Sequence, residues 1–364
     1  MRYIKYAFIT SLIFSLCISC ATTEKNTLHT KFEVKNSRGI NITCADETVL
    51  KKSDIEIWKN WNINCVRINF NKDDITNCYS DSPNTDVWKP YRKNKDKLIQ
   101  WTNWLNECDI QVIVSLDLLW GDDHYSNALW SNNGNNNLIS HRLNMFTAMH
   151  DWANDFPNVV YIEAWNEPHP YNDLYKTYFL PTIASKVKSH QFQSKTICMA
   201  PADWGNISGL DGWDGLNSKE IIYSTHIYDP WMYTHQKIYG NPSDSAGWPG
   251  WHRFYSISEP LVYIDINTVR DYFQKITDFR TRTGSEVIVT EFGVLRWAID
   301  NDKYLNDVIK VFEENKIPWI FHSLSGWNGW NPTFSSIQEQ NNQTMGGEET
   351  AALKVLKSYW LSNK

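Results

Sequence analysis

The sequence predicts a (β/α)8 barrel, one catalytic domain over residues 31–364 preceded by a leader. Three observations carry that expectation. Short apolar, β-branched runs alternate with longer segments of helical period along the chain. Two of the runs, Val160–Trp165 and Val287–Thr290, lead into a carboxylate, Glu167 or Glu291, followed by Pro168 or closed by Gly293. No linker divides the series; the polar stretches 133–137 and 338–343 read as loops.

The elements follow in order. Residues 31–34 and 39–44 read as a hairpin leading into the first strand. Ser53 is positioned to cap a helix over 54–62, with Ile55, Trp58 and Trp61 spaced for one apolar face. Residues 65–70 form the second strand and 95–106 a helix with Leu98, Trp101 and Leu105 on one side. Residues 111–118 are the third strand, and 140–154 a helix capped by Ser140. The fourth strand is 159–165; the helix 174–188 must start, kink or split at Pro181. Strands at 196–200 and 221–227 precede a helix at 269–282 ended by Gly284. The strand 287–291, the helix 303–315, the strand 318–324 and the helix 348–361 close the series. The longest connections follow the third and sixth strands, on the rim where barrels keep their active sites.

Composition narrows the function. The net charge is −6 and there is no basic block, so nucleic acid is not an expected partner. With 19 Trp, 18 Tyr and 15 Phe, the chain is rich in flat side chains that stack on sugar rings while the indole N–H still donates. Trp120, Trp130, Trp204, Trp231, Trp248 and Trp251 all fall in loops expected on the active rim. Some should line a cleft and others only pack the loops. Beyond Cys17 and Cys20 of the leader, Cys44, Cys65, Cys78, Cys108 and Cys198 show no CxxC pair or metal-ligand spacing. Cys44, Cys65 and Cys198 read as buried, inert thiols. The acidic loop 121–124 reads as solvated charge, and no metal or cofactor is expected.

Two glutamates at the same end of parallel strands open onto one face, an arrangement suited to chemistry on a glycosidic bond. In chain order the strand ends read Val66-Arg67-Ile68-Asn69, Trp165-Asn166-Glu167-Pro168, His226-Ile227-Tyr228-Asp229-Pro230 and Thr290-Glu291-Phe292-Gly293, with Trp327 and Trp330 after the last strand. This series is similar to glycoside hydrolase family 5, the cellulase-type retaining glycosidases, over nearly all of residues 31–364. The segment 228–236 resembles the endoglucanase members especially. The resemblance implies that Glu167 is the general acid/base and Glu291 the nucleophile. It also implies that Arg67 holds the nucleophile charged, that Tyr228 hydrogen-bonds the same carboxylate, that Asn166 donates to the sugar 2-hydroxyl, and that His226 contacts substrate. The division of labour is physically sensible, because an acid must keep its proton while a nucleophile must stay ionised.

The chain departs from the family pattern twice. No histidine follows the third strand; His124 lies downstream, and Trp120 is placed to supply stacking instead. At the eighth strand His322 stands where a tryptophan is usual, which moves the expected sugar platform to Trp327, or to Trp330. Trp231 is a further candidate contact.

Residues 1–20 read as an export signal, with Arg2 and Lys5 before an apolar core too short to be a stable membrane anchor. Ile18-Ser19-Cys20-Ala21 resembles the bacterial lipoprotein cleavage box, although Cys17 replaces its usual leucine. Residues 21–30 would then be a tether, and the protein secreted or lipid-anchored at the cell surface through Cys20. The expected activity is a retaining endo-β-glycanase on β-1,4-glucan. A β-mannanase or other β-glucanase shares the same machinery, and a non-catalytic glycan-binding lipoprotein is the alternative of another class. A metal-dependent hydrolase would need histidines clustered at strand ends, a pattern missing from the sequence.

Overall fold

Eight parallel strands close into a barrel in the order β1-β10-β9-β6-β5-β4-β3-β2. They are β1 (Arg38–Cys44), β2 (Cys65–Phe70), β3 (Gln111–Leu116), β4 (Val159–Glu163), β5 (Thr196–Met199), β6 (Ile221–Ile227), β9 (Val287–Phe292) and β10 (Trp319–Phe321). β7 (Gly250–His252) and β8 (Val262–Ile264) pair separately as an antiparallel hairpin in the connection after β6. The computed structural model describes residues 36–363 except 46, 72, 74–85, 117–136, 169–174, 190–194, 217–220, 239–245, 326 and 336–343. The leader, the tether, the first half of the expected hairpin, Cys78, Trp120, His124, the 121–124 loop and Trp130 lie outside the described residues.

The helices pack outside the strands, as their apolar spacing requires. Lys52–Asn60 buries Ile55 and Trp58, and Arg92–Glu107 buries Leu98, Trp101 and Leu105. Trp61 is half-buried and stacks on Trp360 of the last helix, centroids 6.1 Å apart. The expected helix starts 54, 95, 140, 269 and 303 all fall late, against Lys52, Arg92, Asn137, Ile266 and Asn301. Lys52–Asn60 contains Ser53, and its entry is fixed instead by Asp54, whose Oδ2 accepts from Lys51 N at 3.1 Å. Asn137–Ala153 contains Ser140, so neither serine is a cap. Ile266–Thr283 is capped by Asp265, which accepts from the amides of Asn267 and Thr268. Pro181 does split its segment: a π-helical stretch Tyr175–Phe179 runs into Leu180–Lys188. Directly after β5 and β6 come short turns, Ile207–Leu210 and Trp231–Thr234, and the long helix Ile266–Thr283 follows the β7–β8 hairpin.

Strand alternation sorts the barrel into two faces. On β2, Val66, Ile68 and Phe70 join the apolar layer under the helices. Arg67 and Asn69 therefore project into the barrel. On β9 the same alternation is broken. β6 pairs Thr225 with Val289 but His226 with Glu291, and β10 pairs Trp319 with Val289 but Phe321 with Phe292. β9 thus carries one extra residue relative to both neighbours, a bulge at Thr290. Val289 and Phe292 stay in the outer core, while the side chains of Thr290 and Glu291 both turn inward, where they meet Glu163 and Arg67. A regular strand would have pointed one of the two away from the site.

Candidate active site

Glu291 is the most heavily supported carboxylate on the rim. Its Oε1 accepts from Arg67 Nη1 at 2.7 Å and, more weakly, from Asn69 Nδ2 at 3.4 Å. Its Oε2 accepts from the Tyr228 hydroxyl at 2.8 Å. His226 Nδ1 and His322 Nδ1 approach the same oxygen to 3.7 and 3.6 Å. Burial alone would raise its pKa, but the charges of His226 and Arg67 and the Tyr228 hydrogen bond outweigh it and hold Glu291 well below the usual carboxylate range. Burial and the neighbouring Glu291 keep the Tyr228 hydroxyl protonated, so it remains a donor.

Arg67 organises the layer beneath. It is fully buried and also grips Glu163 with Nε, at 2.9 Å, and with Nη2. It donates to Asn41 Oδ1 at 2.9 Å, Ser115 Oγ at 3.1 Å and Asn166 Oδ1 at 2.5 Å. A buried guanidinium needs such partners, and its planar fork suits two carboxylates. The bond from Arg67 fixes the Asn166 amide, so that its NH2 end is the one turned away from the arginine.

Glu167 sits in the opposite electrostatic setting. Its side chain is 21% exposed, against 5% for Glu291, and its Oε1 lies 3.0 Å from His226 Nδ1. Burial raises its pKa and repulsion from Glu291 adds to that; His226 and Arg67 only partly offset them. Burial opposes a proton on His226, but the two glutamates overcome it and raise the imidazole pKa. The two carboxylates are thus pushed apart in acidity, one toward the acid and one toward the anion. Ligand atoms of Glu167, His226 and Glu291 all lie within 4.8 Å of one another. These donor types also suit a metal ion, but the guanidinium 2.7 Å from Glu291 disfavours a second cation there.

Aromatic rings form the walls. Trp330, only 9% exposed, packs against Tyr228, His235 and His322. His235 stacks on the half-buried Trp231, centroids 4.8 Å apart, and burial lowers its pKa to about 3, so the wall is neutral there. Trp330 and Trp231 therefore support Tyr228 from behind. Trp327 is 38% exposed and edges against Trp297 at 5.5 Å, which leaves it available as a platform. Trp204 is 45% exposed, and its backbone N–H donates to the carbonyl of Pro168, the residue after Glu167, at 2.8 Å. Asp203, Trp204 and Gly205 all have positive φ, an unusual run for a bulky ring. The next residue locks it in place, since Gly205 O accepts from His226 N at 2.7 Å.

The structure gathers Glu167, Glu291, Arg67, Asn166, His226 and Tyr228 at one rim. Of the remaining loop tryptophans, Trp248 is buried and Trp251 is exposed on the hairpin. Sequence reasoning missed Asn41, Ser115 and Glu163 as partners of Arg67, and His322 as a neighbour of Glu291. The signal for Glu163 was a charge inside an otherwise apolar strand.

The comparisons with known proteins agree with this geometry. The cellulase family, glycosyl hydrolase family 5, matches residues 24–328. No match emerges among curated proteins. A solved structure described as an endoglucanase is similar with a TM-score of 0.66 at 18% identity, over 90% of this chain and 97% of that one. Thermotoga maritima Cel5A is similar at 20% identity and a TM-score of 0.64, covering 88% of this chain and 98% of its own in the cellobiose complex. Its mannotriose complex gives the same identity and score over 89% and 98%. On the family match across most of its length, the chain belongs to the cellulase family, glycosyl hydrolase family 5, and is a glycoside hydrolase.

Proposed function

We propose that the protein is a retaining endo-β-glycanase that cleaves β-1,4-glucan by double displacement. One observation carries the reading: oxygens of Glu167 and Glu291 lie within 4.8 Å. Retaining pairs stand about 5–5.5 Å apart, whereas inverting pairs need about 6.5–9.5 Å to admit a water. In the first step a Glu291 oxygen bonds to the anomeric carbon as the glycosidic bond breaks, and Glu167 gives its proton to the departing oxygen. In the second step Glu167 takes a proton from water, which attacks the same carbon and frees Glu291. The NH2 end of Asn166 is turned to serve the sugar 2-hydroxyl. Trp204, beside Glu167, supports a stacking place for the leaving part of the chain, and Trp327 one for the glycosyl part.

A β-mannanase is the second reading, supported by the solved relative bound to mannotriose. Product analysis on glucan, mannan and xylan separates the two. Glu291→Gln should abolish hydrolysis with the fold intact, and undiminished turnover would refute its role. We also infer export and lipidation at Cys20 from residues 1–20. The mass of the mature N-terminal peptide tests that: an unlipidated peptide starting elsewhere overturns it.

A further inference from the structure

His322 belongs to no role described so far, yet its ring is fixed against the nucleophile. The backbone N–H of His322 donates to the Phe292 carbonyl at 2.8 Å, and Phe292 is the residue after Glu291. Its own carbonyl passes so close to Gly293 that a Cβ there would stand 2.4 Å from it. Only glycine permits that approach, which clamps the end of β10 to the end of β9. The ring meets Tyr228 and Trp330 edge to face, at 6.2 and 5.7 Å. Nδ1 is buried, makes no hydrogen bond, and stands 3.6 Å from Glu291 Oε2. That gap is about half an ångström beyond bonding range. A carboxylate only accepts, so the tautomer that places the proton on Nδ1 is the one that fits. Burial lowers the imidazole pKa, as do the charges of Arg67 and His226, so the ring stays neutral despite Glu291.

We propose that His322 is a positioning residue for the nucleophile, its Nδ1–H closing on Glu291 Oε2 as that carboxylate is displaced from the sugar. The inference rests on the reading of Glu291 as nucleophile. In the free enzyme the long separation leaves the lone pairs of Oε2 to Tyr228 and the attack. When water displaces Glu291 from the anomeric carbon, the ester C–O bond breaks and its electron pair returns to the carboxylate. A small swing then gives the buried N–H its missing partner, as catalytic contacts long in the free enzyme do. No proton is transferred by His322. The stabilisation falls on the second step, so it accelerates deglycosylation selectively.

The test uses a dinitrophenyl β-cellobioside, whose good leaving group makes deglycosylation rate-limiting. His322→Phe keeps the ring packing and removes the donor. His322→Asn returns an N–H near the place of Nδ1. The Phe variant should lose about 10–100-fold in kcat, as for a hydrogen bond to a charged group. Its KM should fall in step, with kcat/KM nearly constant and a glycosyl-enzyme burst, while the Asn variant recovers much of kcat. An unchanged kcat in the Phe variant overturns the proposal. So does a loss confined to kcat/KM, or an equal loss in both variants with lowered Tm. If the parent releases an inverted product, the reading of Glu291 fails first, and that outcome is seen in the parent alone.

Discussion

His226 Nδ1 stands 3.0 Å from Oε1 of Glu167. Through this contact a buried imidazole restores some acidity to the proposed proton donor, because burial and Glu291 push the Glu167 pKa up while His226 pulls it back. As general acid, Glu167 should lose its proton, and the enzyme its activity, as pH rises through that raised value. His226→Ala removes the restraint. The basic limb of the kcat/KM profile should therefore move to higher pH, alongside a fall in the plateau. A pH–rate series on one soluble glucan checks it; a basic limb that moves down would contradict the assignment.

Arg67→Met leaves Glu163 and Glu291 buried without their shared cation. Breaking a buried pair in this way costs about 3–5 kcal/mol, which urea unfolding would measure. The pH dependence follows with a definite sign. The folded pKa of Glu291 is depressed, so its contribution is fully present above the ordinary carboxylate value and is lost as pH falls toward the depressed one. The stability gap between parent and variant should narrow below about pH 4. Arg67→Met combined with Glu163→Gln should recover part of the loss.

Trp204→Ala tests the rim beside the acid. Loss of one aromatic stacking partner should weaken polysaccharide binding by about 1 kcal/mol, roughly fivefold in KM. The effect should shrink on an aryl glycoside whose leaving group does not reach that ring.

Gly329→Ala bears on the other platform. A Cβ at Gly329 would lie 2.4 Å from the outer ring carbons of Trp327. The ring is partly exposed and can give way, so stability should fall by under about 1 kcal/mol. KM for the polysaccharide should rise with it, as measured by steady-state kinetics.

The barrel and its two acids were legible because the strands are buried on both faces and stop at polar tips. Arg67 was found through the family resemblance of Val66-Arg67-Ile68-Asn69. Its full set of partners was not, since Asn41, Ser115 and Glu163 come from three other strands and meet only through the register of the barrel. The bulge at Thr290 left no local signal, because it is a mismatch between β9 and its neighbours. The burial of Trp248 and Trp330 was equally hidden: ring chemistry is the same in a cleft and in a core. The β7–β8 hairpin was missed because its strands are three residues each and share a long loop.

Oxygens of Glu167 and Glu291 lie within 4.8 Å, with Glu291 pushed toward the anion and Glu167 toward the acid. The anomer first released from a β-linked oligosaccharide tests that claim most directly, followed by proton NMR before mutarotation. The account predicts the β-anomer first. Release of the α-anomer first would mean that water attacks the sugar directly, and Glu291 would not be a nucleophile.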